Sequence, residues 1–98
     1  MNLRTLKVDN NQIAECDLRT HPTLTSVSAV KNKLSSLSGF HNLYELSDLN
    51  LSNNEITSLM GIRACDKLKT LNLSGNKLVT FDDVPSLPGL QELNLMGN

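Results

Sequence analysis

Apolar residues recur along this chain at a long, nearly constant interval, and the same short pattern follows each recurrence. Five segments align almost without gaps, and each obeys L-x-x-L-x-L-x-x-N, with Val or Ala as the only departures at the three apolar positions. The segments begin near positions 3, 24, 46, 68 and 90, so the interval is 21 residues once and 22 residues three times. Self-similarity at such a period is typical of stacked repeat units. The sequence therefore predicts a single domain over residues 1–98, built from about four and a half repeats.

Within each repeat, a strict alternation of apolar and polar residues predicts a short strand. In the fourth copy, Leu71 and Leu73 alternate with Thr70, Asn72 and Ser74. A period of two places the leucines on one face of a strand and the polar residues on the other. One face is therefore expected to lie in the core, and the other faces water.

An asparagine closes each copy of the pattern, where the chain turns out of the strand. Backbone groups lose their strand partners at such a turn, and an asparagine amide can donate and accept hydrogen bonds at once. A buried polar group without a partner costs about 1–3 kcal/mol. We expect Asn98 to matter less than Asn76, because no repeat follows Asn98. The predicted structural ladder consists of Asn11, Asn32, Asn54, Asn76 and Asn98.

Between the asparagines, apolar residues fall at every third position, as from Ile56 to Leu68 and through Phe81 and Val84. A period of three fits 3₁₀-like turns or a very short helix better than a regular helix of 3.6 residues per turn. Pro85 is compatible with such turns, which need no continuous helical hydrogen bonding. The segment that returns from one strand to the next is therefore predicted to be tightly wound.

The repeated pattern resembles the leucine-rich repeat, and its spacing is similar to that of the 22-residue intracellular subclass. The resemblance is strongest in LSSLSGFHNLYELSDLNLSNNEI and ITSLMGIRACDKLKTLNLSGNKL. The best-known protein of this subclass is the leucine-rich regulatory subunit of type-1 protein phosphatase. The resemblance implies an α/β fold, a right-handed solenoid shaped as a horseshoe arc. Short parallel strands would line its concave side, and 3₁₀ or short helical turns its convex side.

Charge and composition narrow the classes of partner. The chain has 9 Lys and Arg against 10 Asp and Glu, a formal net charge of -1, and no basic cluster longer than a pair. This balance disfavours nucleic acids and anionic membranes as partners. No apolar run approaches the ~20 residues of a membrane span, and the first residues do not resemble a secretory signal. We therefore expect an intracellular location, cytoplasmic or nuclear.

The sequence offers little for catalysis. Cys16 and Cys65 occupy period-three apolar positions, so core packing is the favoured interpretation of both. His21 and His41 lie at different repeat positions and have no acidic or thiol companion at metal-ligand spacing. No glycine-rich phosphate loop is present. We therefore predict neither an enzyme nor a bound metal or cofactor.

The polar face of the strands provides the one extended set of candidate binding residues. Asp48, Glu92 and Met96 are the predicted anchors, and Asn50 and its equivalents would supply hydrogen bonds. The opposing interpretation is a solvated sheet face with no partner, since this face lacks the Trp, Tyr and Arg that interfaces favour. The candidate set is Lys7, Ser28, Asp48, Asn50, Thr70, Asn72, Glu92, Asn94 and Met96.

These observations predict a protein–protein interaction module. The resemblance implies a phosphatase or a cytoskeletal protein as partner. With a phosphatase as partner, this chain would act as a phosphatase-regulator-like adaptor. The alternative is a structural segment or fragment of a larger scaffold whose binding residues lie elsewhere. Repeat proteins need caps over their terminal units, and none is evident here. Leu90, Leu93 and Leu95 are thus expected to lack a covering neighbour, which makes end-to-end self-association a further expectation.

Overall fold

The computed structural model describes residues 3–80 and 86–98. Its strands form one sheet in the order β1-β2-β3-β4-β5, and each strand pairs in parallel with the next one along the chain. This topology is a parallel-strand solenoid of the kind that the repeat predicts. The strands are β1 (Thr5–Lys7), β2 (Ser26–Ser28), β3 (Asp48–Asn50), β4 (Thr70–Asn72) and β5 (Glu92–Asn94).

The sheet register keeps equivalent repeat positions side by side. Val27 pairs with Leu49, Leu49 with Leu71, and Leu71 with Leu93. The first three of these side chains are buried between the sheet and the return segments, where Phe40 is fully covered. Leu93, on the last strand, remains 43% exposed. The predicted alternation of inward leucines and outward polar residues is confirmed, and the core thins toward β5.

The return segments differ from the prediction, because the described residues contain turns and no 3₁₀ or other helix. Single i→i+3 hydrogen bonds occur, as from the Phe40 N–H to the Leu37 carbonyl at 3.0 Å. They do not run on into a helix, because neighbouring amides bond across to another repeat. The Asn42 N–H donates to Arg63 at 3.1 Å in the following repeat. The expectation of short helical elements is therefore wrong here, although tight winding with a period of three is present.

Part of the predicted return pattern cannot be compared with the structure. Phe81, Val84 and Pro85 lie outside the described residues.

The asparagine ladder is present and joins successive repeats. The Oδ1 of Asn54 accepts the Leu34 N–H of the preceding repeat at 3.0 Å. Its Nδ2 donates to the carbonyls of Ala29 at 2.9 Å and Leu51 at 3.0 Å, one in each repeat. The side chain is 5% exposed and fully hydrogen-bonded, as a buried amide must be. The same arrangement recurs at Asn32, Asn76 and Asn98.

The direction of these bonds corrects one expectation. Each amide reaches back to the preceding repeat, so Asn98 needs no following repeat to form its bonds. Its Oδ1 accepts the Leu78 N–H at 3.0 Å, and its Nδ2 donates to the Leu73 carbonyl at 2.8 Å. Asn11 differs from the other ladder asparagines because it does not bond another repeat. Within the described chain, its Nδ2 donates only to the carbonyls of Val8 and Asp9 in its own repeat. Asn98 nevertheless remains exposed, whereas Asn76 and the other interior members are buried.

The residue before each ladder asparagine adopts a left-handed backbone, which the repeat pattern did not single out. The φ angle is 58° at Asn10, Lys31 and Asn53, 67° at Gly75 and 75° at Gly97. Glycine and asparagine tolerate this region, whereas a lysine there is strained. This conformation turns the chain out of the strand and toward the return segment.

Candidate functional site: the strand face

The strand face comprises the outward-pointing residues of the five strands and of the turn that follows each strand. The register aligns Lys7, Ser28, Asn50, Asn72 and Asn94 in a central column across the sheet. A second column contains Asp48, Thr70 and Glu92, and Met96 lies beyond the end of β5. Of the predicted site residues, the exposed ones are Lys7, Asp48, Glu92, Asn94 and Met96, and the half-buried ones are Ser28, Asn50, Thr70 and Asn72.

Three asparagines of the central column, Asn50, Asn72 and Asn94, form what we call the outer asparagine row. The Asn72 Oδ1 accepts the N–H of Ser74 at 3.0 Å and its hydroxyl at 2.8 Å. The Oδ1 atoms of Asn50 and Asn94 likewise accept a backbone N–H two residues on, at 3.2 and 3.0 Å. Such Asx-turns hold each amide by its oxygen. The Nδ2 groups find no acceptor among residues 3–80 and 86–98, so they remain able to donate.

In the N-terminal half of the strand face, polar groups form hydrogen bonds with one another. The Asp9 Oδ1 accepts the Ser28 hydroxyl and the Val30 N–H, each at 2.7 Å. These two hydrogen bonds, that of Ser28 foremost, hold the pKa of the Asp9 carboxyl below its ordinary value. Ser28 is thereby occupied within the protein. Of the predicted central column, only the outer asparagine row keeps unused donors on uncharged side chains.

The charged anchors differ in how firmly they are held. The Thr70 hydroxyl donates to the Asp48 Oδ1 at 2.6 Å, which fixes this carboxylate over β3 and β4. Glu92 forms no ion pair with any described residue. Ion pairs that the structure does contain, such as Lys67 with Glu45 at 3.0 Å, lie away from the strand face and are exposed. The strand face therefore offers two carboxylates to a partner.

The thiols have environments that disfavour nucleophilic chemistry. Cys65 is fully buried, with its Sγ 3.5 Å from the carbonyls of Phe40 and Arg63, and Cys16 is half-buried. Burial raises the pKa of both thiols above the ordinary value, which keeps them protonated. Within the described part of the chain, no three His, Cys, Asp or Glu side chains gather as metal ligands.

A groove on the return segments of the second and third repeats was not foreseen from the sequence. Its volume is about 500 Å3, and its lining includes the hydroxyls of Ser36 and Ser58 together with His41 and Arg63. Both hydroxyl oxygens accept a backbone N–H two residues on. The residues that form the groove are scattered between period-three apolar positions, so only the stacking of two repeats brings them together.

Comparison with known families agrees with this geometry. The family model of the Leucine Rich Repeat matches residues 67–90, which contain β4. A comparison with curated proteins found no match. In the described ranges, no helix is long and apolar enough to cross a membrane. Leucine-rich repeats are general protein–protein interaction modules and typically non-enzymatic binding scaffolds. The matched repeat and the parallel solenoid together support the assignment of this chain as a leucine-rich repeat protein.

Proposed function

We propose that this chain is a protein–protein interaction module that binds its partner through the strand face. The observation that carries the proposal is the outer asparagine row, whose three neighbouring amides keep unused donors beside Asp48 and Glu92. Exposed Met96, at 75%, adds an adaptable apolar contact at the same end of the sheet.

The polar groups of the strand face are not needed to satisfy the core. No buried side-chain nitrogen or oxygen lacks a hydrogen bond in the described part of the protein. The ladder asparagines satisfy the turns, and the leucines fill the interior. Since the described fold uses the Oδ1 atoms of the outer asparagine row but not their Nδ2 groups, these donors are the part of the strand face most open to contact with a partner.

For the partner itself, we propose an intracellular protein. The 22-residue spacing favours the subclass of the phosphatase regulator, so a type-1-like phosphatase bound in an adaptor role is the first candidate to test, and a cytoskeletal protein the second. Cys16 and Cys65 are free thiols, which agrees with a reducing compartment, cytoplasmic or nuclear. We propose no catalytic role and no binding of nucleic acid or membrane, because charge is balanced and the thiols are held protonated.

Self-association is a separate proposal at the β5 edge. We propose that residues 1–98 act as one domain of about four and a half repeats whose ends can stack on a second copy. Leu93 is 43% exposed there, and Leu90 and Leu95 are half-buried. Sedimentation equilibrium over a wide concentration range tests the proposal, and a constant monomer mass would refute it.

Photo-crosslinking tests the proposed function with two matched positions. Photo-methionine, which carries a diazirine, replaces methionine throughout the chain in cells of the source organism. Met96 lies by the strand face and Met60 on a return turn, and their side chains are 75% and 63% exposed. We expect a partner adduct at Met96, lost in Met96→Leu and retained in Met60→Leu.

Two results would count against the proposal. Adducts at Met60 without adducts at Met96 would move binding to the return segments. No protein adduct at either position would favour the alternative, in which the chain is a structural segment whose binding residues lie elsewhere.

A further inference from the structure

The outer asparagine row keeps its donors unused, whereas its acceptors are partly occupied. Each of its Oδ1 atoms is engaged by a backbone N–H two residues on, as Asn72 is by Ser74. Each Nδ2 has no acceptor within the described ranges. Ladder residue Asn76 is the opposite case, since its Nδ2 donates to Leu51 at 2.9 Å and to Leu73 at 3.0 Å. A partner that uses the free donors of the row must therefore present hydrogen-bond acceptors.

The negative charges beside the row favour uncharged hydrogen-bond acceptors of a partner over carboxylates. Asp48 and Glu92 precede Asn50 and Asn94 by two residues on the same strands, about 6.6 Å along each strand. A carboxylate brought onto the row would lie near at least one of these carboxylates and be repelled. An uncharged carbonyl meets no such penalty. The main-chain carbonyls of a peptide are thus favoured over Asp or Glu side chains.

The spacing of the row matches one backbone conformation. Neighbouring strands lie about 4.8 Å apart, so Asn50 and Asn94 are separated by about 9.6 Å across two strand spacings. A polyproline II segment has three residues per turn and rises about 3.1 Å per residue, so equivalent carbonyls recur about every 9.3 Å. Its backbone has no internal hydrogen bonds, which leaves every carbonyl available. Asn72 lies between the two ends, and because the helix has three residues per turn, the two intervening carbonyls point about 120° to either side of the row, so Asn72 must turn its amide toward one of them.

We propose that the outer asparagine row binds an extended, polyproline-II-like segment of the partner, which runs across β3, β4 and β5 and accepts hydrogen bonds through its main-chain carbonyls. The inference rests on the proposed function and specifies which chemical groups of the partner the strand face binds. It assigns Asn50, Asn72 and Asn94 as donors of one continuous site.

Nuclear magnetic resonance of the ¹⁵N-labelled full chain tests the inference without a known partner. The probe is a decaproline peptide with acetylated and amidated ends, because proline has no backbone N–H and presents only acceptors. We expect it to shift the side-chain amide resonances of the outer asparagine row and to leave those of ladder residues Asn54 and Asn76 unchanged. Asn72→Asp keeps an oxygen for Ser74 and removes the donor, so it should weaken binding roughly tenfold.

Matched controls separate the site from general effects of charge. Asn42→Asp adds the same charge on an exposed return turn and should leave decaproline binding unchanged. A capped decaglutamate probe should not shift the outer asparagine row. Absence of shifts with decaproline, equal shifts with decaglutamate, or undiminished decaproline binding by Asn72→Asp would each overturn the inference.

The two proposals fail separately. If decaproline shifts no resonance while Met96 still crosslinks a partner, the peptide chemistry is wrong and the interaction function stands. If decaproline shifts the row but no partner adduct forms at Met96, the site has the inferred chemistry and the proposed cellular function fails.

Discussion

Asn72 and Asn76 lie four residues apart in the fourth repeat and meet opposite surroundings. Asn72 points outward from β4 and uses its oxygen in a local turn, while its Nδ2 has no acceptor in the described chain. Asn76 lies beyond the turn, is 5% exposed, and donates to backbone carbonyls of its own and the preceding repeat. The same side chain is thus structural at one position and available for binding at the other.

The ladder asparagines should contribute unequally to stability. Asn76→Ala would leave the Ile56 N–H without its partner in the interior and remove one of the two amides that donate to the Leu51 carbonyl, which should cost about 1–3 kcal/mol. Asn11→Ala breaks bonds only within one exposed repeat and should cost under about 1 kcal/mol. Urea denaturation of both variants measures the difference in the free energy of unfolding. Equal losses would contradict a ladder that joins repeats through its interior members.

At the scale of the element, each strand has only three residues and depends on the register with its neighbours. Backbone hydrogen bonds between neighbouring repeats continue past the strand ends, as from the Leu51 N–H to the Asn72 carbonyl at 2.9 Å. The inward leucines fix this register, because a slip by one residue would turn them to water. Packing between repeats therefore holds elements that are too short to be stable alone.

An interior leucine should be far more sensitive than the equivalent leucine at the edge. Leu71→Ala removes a buried side chain between two repeats and should lower the free energy of unfolding by about 2–5 kcal/mol. Leu93→Ala, at the equivalent position of β5, should cost much less because Leu93 is already 43% exposed. Denaturant titration compares the two variants. A loss below about 0.5 kcal/mol for Leu71→Ala would show that its side chain is not inside.

Asp9 joins the first two repeats and makes stability depend on pH. Its pKa in the folded chain lies below the unfolded value of 3.8, because the carboxylate accepts the Ser28 hydroxyl and the Val30 N–H. The unfolded chain therefore takes up this proton first as pH falls. The stabilisation is complete above the unfolded pKa and is lost as pH falls through the folded pKa.

Asp9→Asn should therefore reduce the loss of stability between about pH 5 and pH 2. The measurement is the urea midpoint at several pH values, with Asp66→Asn, on an exposed turn, as a control that removes the same charge. An unchanged pH dependence in Asp9→Asn would show that this carboxylate does not link the repeats.

The repeat pattern was sufficient for the strands, their parallel order, the inward leucines and the ladder. All of these follow from the 22-residue period and the alternation around residues such as Leu71. The conformation of the return segments was harder to predict, because a period of three does not distinguish a helix from separate turns. That choice depends on amides such as Asn42 N–H, which bond another repeat. The outer asparagine row was predicted as a set of positions, but its unused donors depend on the local turns that hold its oxygens.

At the scale of the whole molecule, the two faces of the solenoid have separate roles. The returns and inward leucines form the core, and the strand face carries polar groups that the core does not use. The sheet grows by repetition, so one column of equivalent residues extends across all five strands. A surface of this kind can meet a linear segment at several neighbouring points, which is the basis of the proposed binding mode.

The most direct test of this account measures two quantities on Asn72→Asp, with Asn76→Asp as the matched variant. The first is the free energy of unfolding, and the second is the yield of the partner adduct at photo-methionine 96. The account predicts that Asn72→Asp retains its stability and loses most of the adduct, whereas Asn76→Asp loses stability. If Asn72→Asp is as unstable as Asn76→Asp, or if it keeps the full adduct yield, the outer asparagine row is not the binding surface.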